Sequence, residues 1–449
     1  MYDYDVLFIG SGHATWHGAL KLVQAGKKVA FVDGDLIGGT CTNYGCDAKI
    51  LLDAPFVFVN GLKRYKGIGI EETPKICWED LMKYKKQVIQ PLPMALEKGI
   101  FAKAGMPVIH ETARFEDAHT VIAGTKRITA DKIVIGTGEH PVKRDIPGKE
   151  YIHDSRDFLD LAAFPQRIAF IGAGIISMEF ASMAIELGAE VTVIHHNSRA
   201  LKMYPAKYVD IVVKKMADEG VKFDFNESVE RIDKVGDAFC ITYQSGRSIT
   251  VDYVMEATGR EPNVDELDLA NAGVAYSRRG IQVNAYLQTT TPNIYASGDV
   301  IDKRIPKLTP TATFESNYIA DHILNPNTAP IQYPVIPNLV FTLPRIAQVG
   351  VSVDTALKDP EHYQVVSVPY GKTLLFEAKN EQYADFTFVF DMEHTLVGAA
   401  FLSDDAGMFV DLITLIINQK LTKQQLNQMI FAFPTESYGL ISMVSGLLK

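Results

Sequence analysis

The chain has 449 residues, a formal net charge of -10 and 47% hydrophobic residues. This length exceeds what one hydrophobic core normally serves and indicates two to four domains. The negative charge argues against nucleic-acid binding, because phosphates need a basic excess to neutralise them. No apolar run reaches the roughly 18 residues that span a bilayer, and the acidic start does not resemble a secretory signal. We therefore expect a cytoplasmic protein that has no membrane segment.

The N-terminal segment predicts a strand, a glycine-rich turn, a helix and a second strand. The strand at 5–9 leads into Gly10 and Gly12, and the strand at 28–32 ends at Asp33. The first glycine permits a tight turn and the second lets the backbone approach a pyrophosphate at the helix N-terminus. Asp33 stands where a carboxylate holds a ribose hydroxyl. Thr15 replaces the third glycine, so an ordinary strand–turn–helix is the alternative.

The same unit returns later in the chain and indicates a second nucleotide site. A strand at 167–171 precedes Gly172 and Gly174, a helix is predicted over 178–187, and a further strand covers 190–194. His195, His196 and Arg199 follow that strand, where a carboxylate would favour NAD. A basic cluster favours the 2′-phosphate of NADP, so the sequence favours NADPH and leaves NADH open. An unselective loop is the alternative.

The segment from Gly38 to Cys46 carries the most specific pattern. Four residues separate Cys41 from Cys46, and a helical pattern follows through 49–52. A helix N-terminus lowers the pKa of a thiol and makes the reactive thiolate available. Zinc would require further paired ligands, and none occur at that spacing, so no metal site is predicted. A redox pair is therefore favoured over a chance pair of buried cysteines.

The rest of the chain predicts further strands and a separate C-terminal domain. Apolar strands followed by glycine occur within 132–138, 253–260 and 293–299. Several prolines follow position 333, and a late helix is predicted over 408–418. This last part lacks a glycine-rich fingerprint and is predicted to be an α+β domain for dimerisation or substrate binding.

The segment from Gly38 to Cys46 resembles the active-site signature of the class I pyridine nucleotide–disulfide oxidoreductases, which include glutathione reductase, dihydrolipoamide dehydrogenase and mercuric reductase. The resemblance continues in order over nearly the whole chain. It implies an α/β fold with two Rossmann-like dinucleotide-binding domains and a C-terminal α+β dimerisation domain. The implied bounds are 1–148 with 273–332 for FAD, 149–272 for NAD(P), and 333–449 for the interface of a homodimer.

The resemblance also implies roles for individual residues. Cys46 corresponds to the thiol next to the flavin, and Cys41 to the thiol that attacks the substrate. Lys49 and Glu179 correspond to an ion pair near the flavin, although the pattern before Lys49 is one residue short. The implied FAD contacts are Gly10, Gly12, His13, Ala14, Asp33, Gly39, Thr40, Lys49, Ala113, Gly138, Arg260, Gly298, Asp299, Leu308 and Thr309. The implied NAD(P) contacts are Gly172, Gly174, Ile175, Ile176, Glu179, His195, His196, Arg199 and Gly259.

The C-terminal segment departs from the family pattern. The family has a histidine with a glutamate a few residues on, which serve the thiols as acid and base. Phe433 and Tyr438 occupy these two positions. Phenylalanine cannot transfer a proton, and such help is typically worth about 10²–10⁴-fold. Tyr438 is either a weak proton donor or an interface residue.

Three functions follow from this departure. The favoured one is an NAD(P)H-dependent reductase whose small acceptor is a metal ion, a quinone, another electrophile or oxygen. The alternatives are a glutathione-reductase-like enzyme with a substitute proton donor, and a flavin-bearing redox sensor. Each is consistent with a role in cell redox homeostasis. Trp16 and His17, on the first predicted helix, are assigned to core packing.

Overall fold

The computed structural model describes residues 1–449. A mixed sheet of seven strands forms its N-terminal layer. Parallel pairs predominate on one side and antiparallel pairs on the other, and a late strand joins by parallel pairing with the strand that ends at Ile135. Its strands are Val108–Ile109, Val29–Val32, Tyr4–Ile9, Lys126–Ile135, Thr120–Ala123, Ala113–Asp117 and Ile294–Ala296.

A second, wholly parallel sheet of four strands contains the second fingerprint. Its order is Lys222–Phe225, Glu190–His195, Arg167–Ile171 and Tyr253–Glu256. An antiparallel sheet packs beside it, with strands Val229–Val235, Ala238–Tyr243 and Ser248–Val251. Two short antiparallel pairs complete this region: Glu139–Pro141 with Arg260–Pro262, and Tyr276–Ser277 with Gly280–Ile281.

The C-terminal part is built on an antiparallel sheet of five strands. In sheet order they are Asn338–Val340, Ile346–Gly350, Leu396–Leu402, Asp385–Asp391 and Tyr363–Val368. The helix Ala406–Gln419 packs its apolar face on this sheet around a cluster of phenylalanines. Strands and helices alternate here as the sequence predicts.

The helices vary widely in length, and none combines the length and apolarity needed to cross a membrane. The α-helices are Trp16–Gln24, Gly39–Tyr44, Cys46–Lys63, Trp78–Ile89, Leu92–Leu96, Ser155–Phe158, Ile175–Glu186, Ala206–Asp218, Thr309–Leu324, Val353–Ala356, Leu374–Ala378, Ala406–Gln419, Lys423–Asn427 and Glu436–Leu447. Shorter 3-10 turns cover Lys149–Tyr151, Leu269–Ala272, Gly298–Val300 and Tyr370–Lys372, and one π turn covers Glu97–Phe101.

Local backbone geometry explains why some helix boundaries in the structure differ from the predicted ones. The helix predicted from 178 begins at Ile175, because Gly174 is its N-cap and the fingerprint loop leads straight into it. The cysteine segment forms two helices, since Gly38 with φ +99° begins the first and Gly45 at φ -141°, ψ -114° separates it from the second. Cys41 therefore lies inside a short helix, and Cys46 is the first residue of a long one.

Candidate active site

Close backbone contacts shape the first fingerprint loop. Gly10 has φ +94°, and a Cβ there would lie 2.5 Å from the carbonyl oxygen of Gly136. Gly39 has φ +67°, and its Cβ would lie 3.0 Å from the Cα of Gly12. Gly298 has φ +79°, and its Cβ would approach the Ala14 methyl group at 2.6 Å. These glycines let three other chain segments meet the fingerprint loop around one cradle, which fits a pyrophosphate at the N-terminus of helix Trp16–Gln24.

Asp33 is oriented at the end of the second strand by its neighbours. Its Oδ2 accepts from the backbone N–H of Ser11 at 2.7 Å and from the Ser11 hydroxyl at 2.6 Å. Its Oδ1 accepts from the backbone N–H of Asp35 at 2.9 Å. Burial raises the pKa of Asp33, and the bonds from Ser11 oppose that rise. The sequence reasoning missed Ser11, although it stands between the two fingerprint glycines.

A cavity of about 590 Å³ runs along this loop, within the range of small-molecule sites. Most of the predicted FAD contacts border it: Gly10, Gly12, His13, Ala14, Asp33, Gly39, Thr40, Ala113, Gly138, Arg260, Gly298, Asp299 and Thr309. Leu308 lies beside it as the N-cap of helix Thr309–Leu324, and Lys49 lies outside the lining. Lining residues that the sequence did not single out include Arg156, Asn263 and Ala312.

The second fingerprint repeats the backbone geometry of the first. Gly172 has φ +103°, and a Cβ there would lie 2.6 Å from the carbonyl oxygen of Ala257. Gly174 caps the helix whose first residues are Ile175 and Ile176, and both Gly174 and Ile175 are exposed. An open helix N-terminus after a tight turn fits a second dinucleotide phosphate. Gly259 also lies exposed, after the strand that ends at Glu256.

The basic cluster after strand Glu190–His195 is dispersed in the structure. His196 is exposed, whereas burial lowers the pKa of His195. The guanidinium of Arg199 donates to Asp354 at 3.3 Å and to the carbonyl of Tyr204. Arg199 is thus already neutralised by a carboxylate of the C-terminal part.

Cys41 and Cys46 are both free thiols that interact with each other. The hydrogen bond from Cys41 lowers the pKa of Cys46 to about 6, with further help from Thr309 and from the charge of Lys49. The same bond, together with burial, raises the pKa of Cys41. Cys46 Sγ lies 3.7 Å from the hydroxyl of Thr309, and Cys41 borders the cavity. In the reduced pair, the negative charge is thus favoured on the Cys46 sulfur and the proton on Cys41.

An ion pair links the cysteine helix to the second fingerprint helix. Lys49 Nζ lies 2.9 Å from Glu179 Oε2, and the Glu179 side chain is buried. Glu179 also accepts from the backbone N–H of Phe341 at 2.9 Å, and Lys49 lies 4.0 Å over the Phe341 ring. Burial raises the pKa of Glu179, which Lys49 opposes. The structure thus brings together the two residues that the shortened pattern left uncertain.

Two histidines meet where the fingerprint loop enters helix Trp16–Gln24, His13 on the loop and His17 on the first turn of the helix. His13 Nδ1 lies 3.1 Å from His17 Nε2, and the Trp16 ring stacks on His17 with centroids 3.6 Å apart. Burial lowers the pKa of His13, and lowers that of His17 to about 4. Trp16 packs against the core as expected, but His17 is half-buried against His13 and is no core residue.

Phe433 and Tyr438 form an aromatic pair near the C-terminus. Their ring centroids are 5.2 Å apart at an interplanar angle of 81°, and Phe433 is 75% exposed. Thr435 caps the final helix by accepting from the backbone N–H of Tyr438. The Tyr438 hydroxyl has no hydrogen-bond partner within the chain, and both rings are exposed.

The fold and its two nucleotide cradles define a flavoprotein reductase that uses two dinucleotides. Residues 4–316 match the family model described as pyridine nucleotide-disulphide oxidoreductase, and residues 336–441 match its dimerisation domain. The chain belongs to the pyridine nucleotide-disulphide oxidoreductase family. This confirms the predicted family and fold class.

Several relatives match over almost the whole chain. It is 30% identical to a glutathione reductase from Nostoc sp., covering 98% of this chain and 99% of the relative. It is 29% identical to a mercuric reductase from Staphylococcus aureus, covering 98% and 81% respectively. Among solved structures it resembles a Cu(II) complex of a variant of the HOCl-induced flavoprotein disulfide reductase RclA from Escherichia coli. That match has a TM-score of 0.89 and 25% identity, and covers 100% of both chains.

Family membership confirms several of the predictions. The protein is an NAD(P)H-dependent flavoprotein oxidoreductase, and its cofactors are FAD and NAD(P)H. The dimerisation domain supports a homodimer, and a role in redox homeostasis is consistent with the family. The electron acceptor is not fixed by membership.

Proposed function

We propose that this protein is an NAD(P)H-dependent reductase that passes electrons through Cys41 and Cys46 to a metal ion, with Cu(II) as the substrate. The observation that carries this proposal is a cysteine pair in which the hydrogen bond from Cys41 lowers the pKa of Cys46, together with Phe433 at the position of the family's proton-transfer histidine. Bound FAD would relay electrons from the nicotinamide to this pair. The glycine cradle around Gly10, Gly12 and Gly298 would hold its pyrophosphate, and Asp33 its ribose.

The surroundings of the cysteine pair support different roles for the two thiols. Cys46 lies at the N-terminus of a long helix and near Lys49, and both favour a negative charge on its sulfur. Cys41 keeps its proton and borders the cavity. From the resemblance to the family, rather than from the cavity lining, we assign Cys46 as the sulfur next to the flavin and Cys41 as the sulfur that meets the acceptor. Lys49 and Glu179 form the ion pair beside the helix that begins at Cys46.

A metal acceptor removes the need for an acid–base residue. Closing the disulfide from one thiolate and one thiol releases two electrons and the single proton of Cys41. Two Cu(II) ions accept these electrons and become two Cu(I) ions, and no leaving thiolate must be protonated. A disulfide substrate requires proton delivery to its leaving sulfur, for which Phe433 has no suitable group. Tyr438 therefore has no required catalytic role in this proposal.

The comparisons favour Cu(II) among the possible metal ions. RclA forms a Cu(II) complex, both as the natural protein and as a cysteine-to-serine variant. The mercuric reductases, among the relatives, are named for the reduction of another metal ion.

Three finer assignments belong to the same proposal. NADPH is favoured over NADH through His196, with Arg199 contributing less because Asp354 neutralises it. The FAD unit comprises 1–148 and 273–332, because strand Ile294–Ala296 joins the first sheet; 149–272 bind NAD(P), and 333–449 form the dimer interface. The cytoplasm is favoured because only four cysteines occur in the sequence.

The deciding experiment is anaerobic reduction of the FAD-loaded dimer with NADPH, and separately with NADH, followed by Cu(II). We expect a long-wavelength absorption band from the Cys46 thiolate, which disappears as Cu(II) is added. A Cu(I)-specific chelator should then report two Cu(I) per NADPH oxidised. Cys41→Ser should keep the band and lose Cu(I) formation.

Turnover of a panel of disulfides tests the alternative function. Fast turnover of oxidised glutathione or another disulfide, with no Cu(I) formed, would refute the metal proposal and favour a disulfide reductase. Slow, acceptor-independent oxidation of NADPH would favour the redox sensor.

A further inference from the structure

We infer that His13 and His17 form a two-nitrogen binding site that captures the Cu(II) substrate beside the cysteine pair. The inference rests on the proposed function for its substrate, and on the geometry of the histidines for the site. His13 lies on the fingerprint loop and His17 one turn later on helix Trp16–Gln24, so both rings face the same side. Their facing nitrogens are 3.1 Å apart.

That separation matches the bite of a metal chelate. Imidazole nitrogens bind divalent metals at about 2.0–2.1 Å, so two such ligands at an angle of 90–110° lie about 2.9–3.4 Å apart. Without a metal the two nitrogens share one N–H, and a tautomer shift moves that hydrogen to the outer nitrogen. The side chains therefore need little rearrangement to bind an ion. Cu(II) forms the tightest complexes among the divalent first-row ions and favours nitrogen ligands in planar geometry.

The pair lies within the electrostatic surroundings of the cysteines. His13 and Cys41 border the same cavity. The carboxylate of Asp47, the residue after Cys46, interacts by charge with His13 and with both thiols. A cation held at the histidines is thus attracted by the carboxylate that adjoins the thiols.

The small number of ligands fits a substrate rather than a resident metal. No group of three or more His, Cys, Asp or Glu side chains is arranged to hold a metal ion. Structural sites are closed by four protein ligands, whereas a two-histidine site leaves positions for water and for an incoming thiolate. The Trp16 ring stacked on His17 holds the imidazole in place and limits approach from that side. Such a site binds Cu(II) and can release it to sulfur.

Binding can be measured without turnover in the FAD-loaded dimer that carries Cys41→Ser and Cys46→Ser. Titration with Cu(II), followed by electron paramagnetic resonance, should show one tight ion per chain with hyperfine splitting from two nitrogens. Adding His13→Gln or His17→Gln should weaken that binding by at least tenfold and remove one nitrogen from the spectrum. His362→Gln, at an exposed histidine elsewhere, is the matched control and should leave binding unchanged.

Two outcomes separate this inference from the proposed function. Unchanged Cu(II) affinity and spectrum in both histidine variants, with FAD content and circular dichroism intact, would overturn the capture site even if the natural enzyme reduces Cu(II). Histidine-dependent binding in an enzyme that forms no Cu(I) would leave the site standing and refute the reductase proposal. In the natural cysteine background, His17→Gln should raise the KM for Cu(II) more than it lowers kcat.

Discussion

Lys49 Nζ lies 2.9 Å from Glu179 Oε2, which joins the helix that begins at Cys46 to the helix of the second fingerprint. The two residues are 130 positions apart in the chain. Glu179 is buried and Lys49 is half-buried, so the pair is held away from bulk water. The contact couples the helix that carries Cys46 to the helix that we propose binds NAD(P).

Replacing Lys49 should leave an unpaired buried carboxylate. We expect Lys49→Met to lower the unfolding free energy by about 3 kcal/mol, because removing one partner of a buried pair leaves the other charge buried without compensation. The double variant Lys49→Met with Glu179→Gln should recover most of that loss. Urea unfolding of the FAD-loaded protein measures both.

The exposed pair of Lys214 and Asp218 is the matched control for this prediction. Lys214→Met should change the unfolding free energy by less than about 0.5 kcal/mol, since solvent screens exposed pairs. Equal losses at Lys49 and Lys214 would contradict the buried coupling.

The Cys46 thiolate should be visible in the pH dependence of alkylation. Its pKa is lowered from 9.0 to about 6 chiefly by the hydrogen bond from Cys41. Iodoacetamide labelling of Cys46 in Cys41→Ser, which keeps a hydroxyl donor, should therefore show a lower midpoint than labelling in Cys41→Ala. Mass spectrometry separates Cys46 from Cys77 and Cys240.

The same shift predicts how the stability of the reduced enzyme depends on pH. A folded-state pKa below the unfolded value means that the thiolate stabilises the fold at high pH. This contribution is complete above the ordinary thiol pKa of 9.0 and is lost as pH falls through about 6. Cys46→Ser should remove that part of the pH dependence, and identical curves for the two proteins would contradict the assignment.

The tight turn at Gly10 should be needed for FAD binding. Gly10→Ala places a methyl group 2.5 Å from the Gly136 carbonyl oxygen, in addition to its positive φ. We expect purified Gly10→Ala to lose its flavin absorbance. Gly26→Ala is the control, because Gly26 has φ +83° and no atom within 4 Å of its Cβ position. It should keep FAD and lose only about 1–2 kcal/mol from the strained backbone; loss of FAD from both would refute the steric account.

Tyr438→Phe tests whether the tyrosine serves as a proton donor. The substitution removes the hydroxyl and keeps the ring contact with Phe433. Cu(II) reduction should stay within about twofold of the natural rate, since the proposed step needs no acid. A fall of about 10²-fold or more would instead assign acid–base catalysis to Tyr438.

The turns and strands of the fingerprints were predictable because their causes are local. Gly10 and Gly172 adopt positive φ where the pattern demands a tight turn, and buried strands precede both. Helix boundaries were predicted less accurately, because Gly45 divides the cysteine segment into two helices and the helical pattern did not reveal this break. The ion pair of Arg199 could not be predicted, because its partner Asp354 lies in a distant part of the chain.

The sequence by itself determined the family, the two dinucleotide cradles and the cysteine pair, because glycine conformation and short spacing are written in contiguous residues. Only the tertiary structure decided that Lys49 reaches Glu179, that Asp354 neutralises Arg199 and that His13 faces His17 at chelating distance. The first two contacts depend on how separate elements pack against each other, and the third depends on side-chain rotamers fixed by that packing. The first two contacts are therefore not encoded in the order of neighbouring residues.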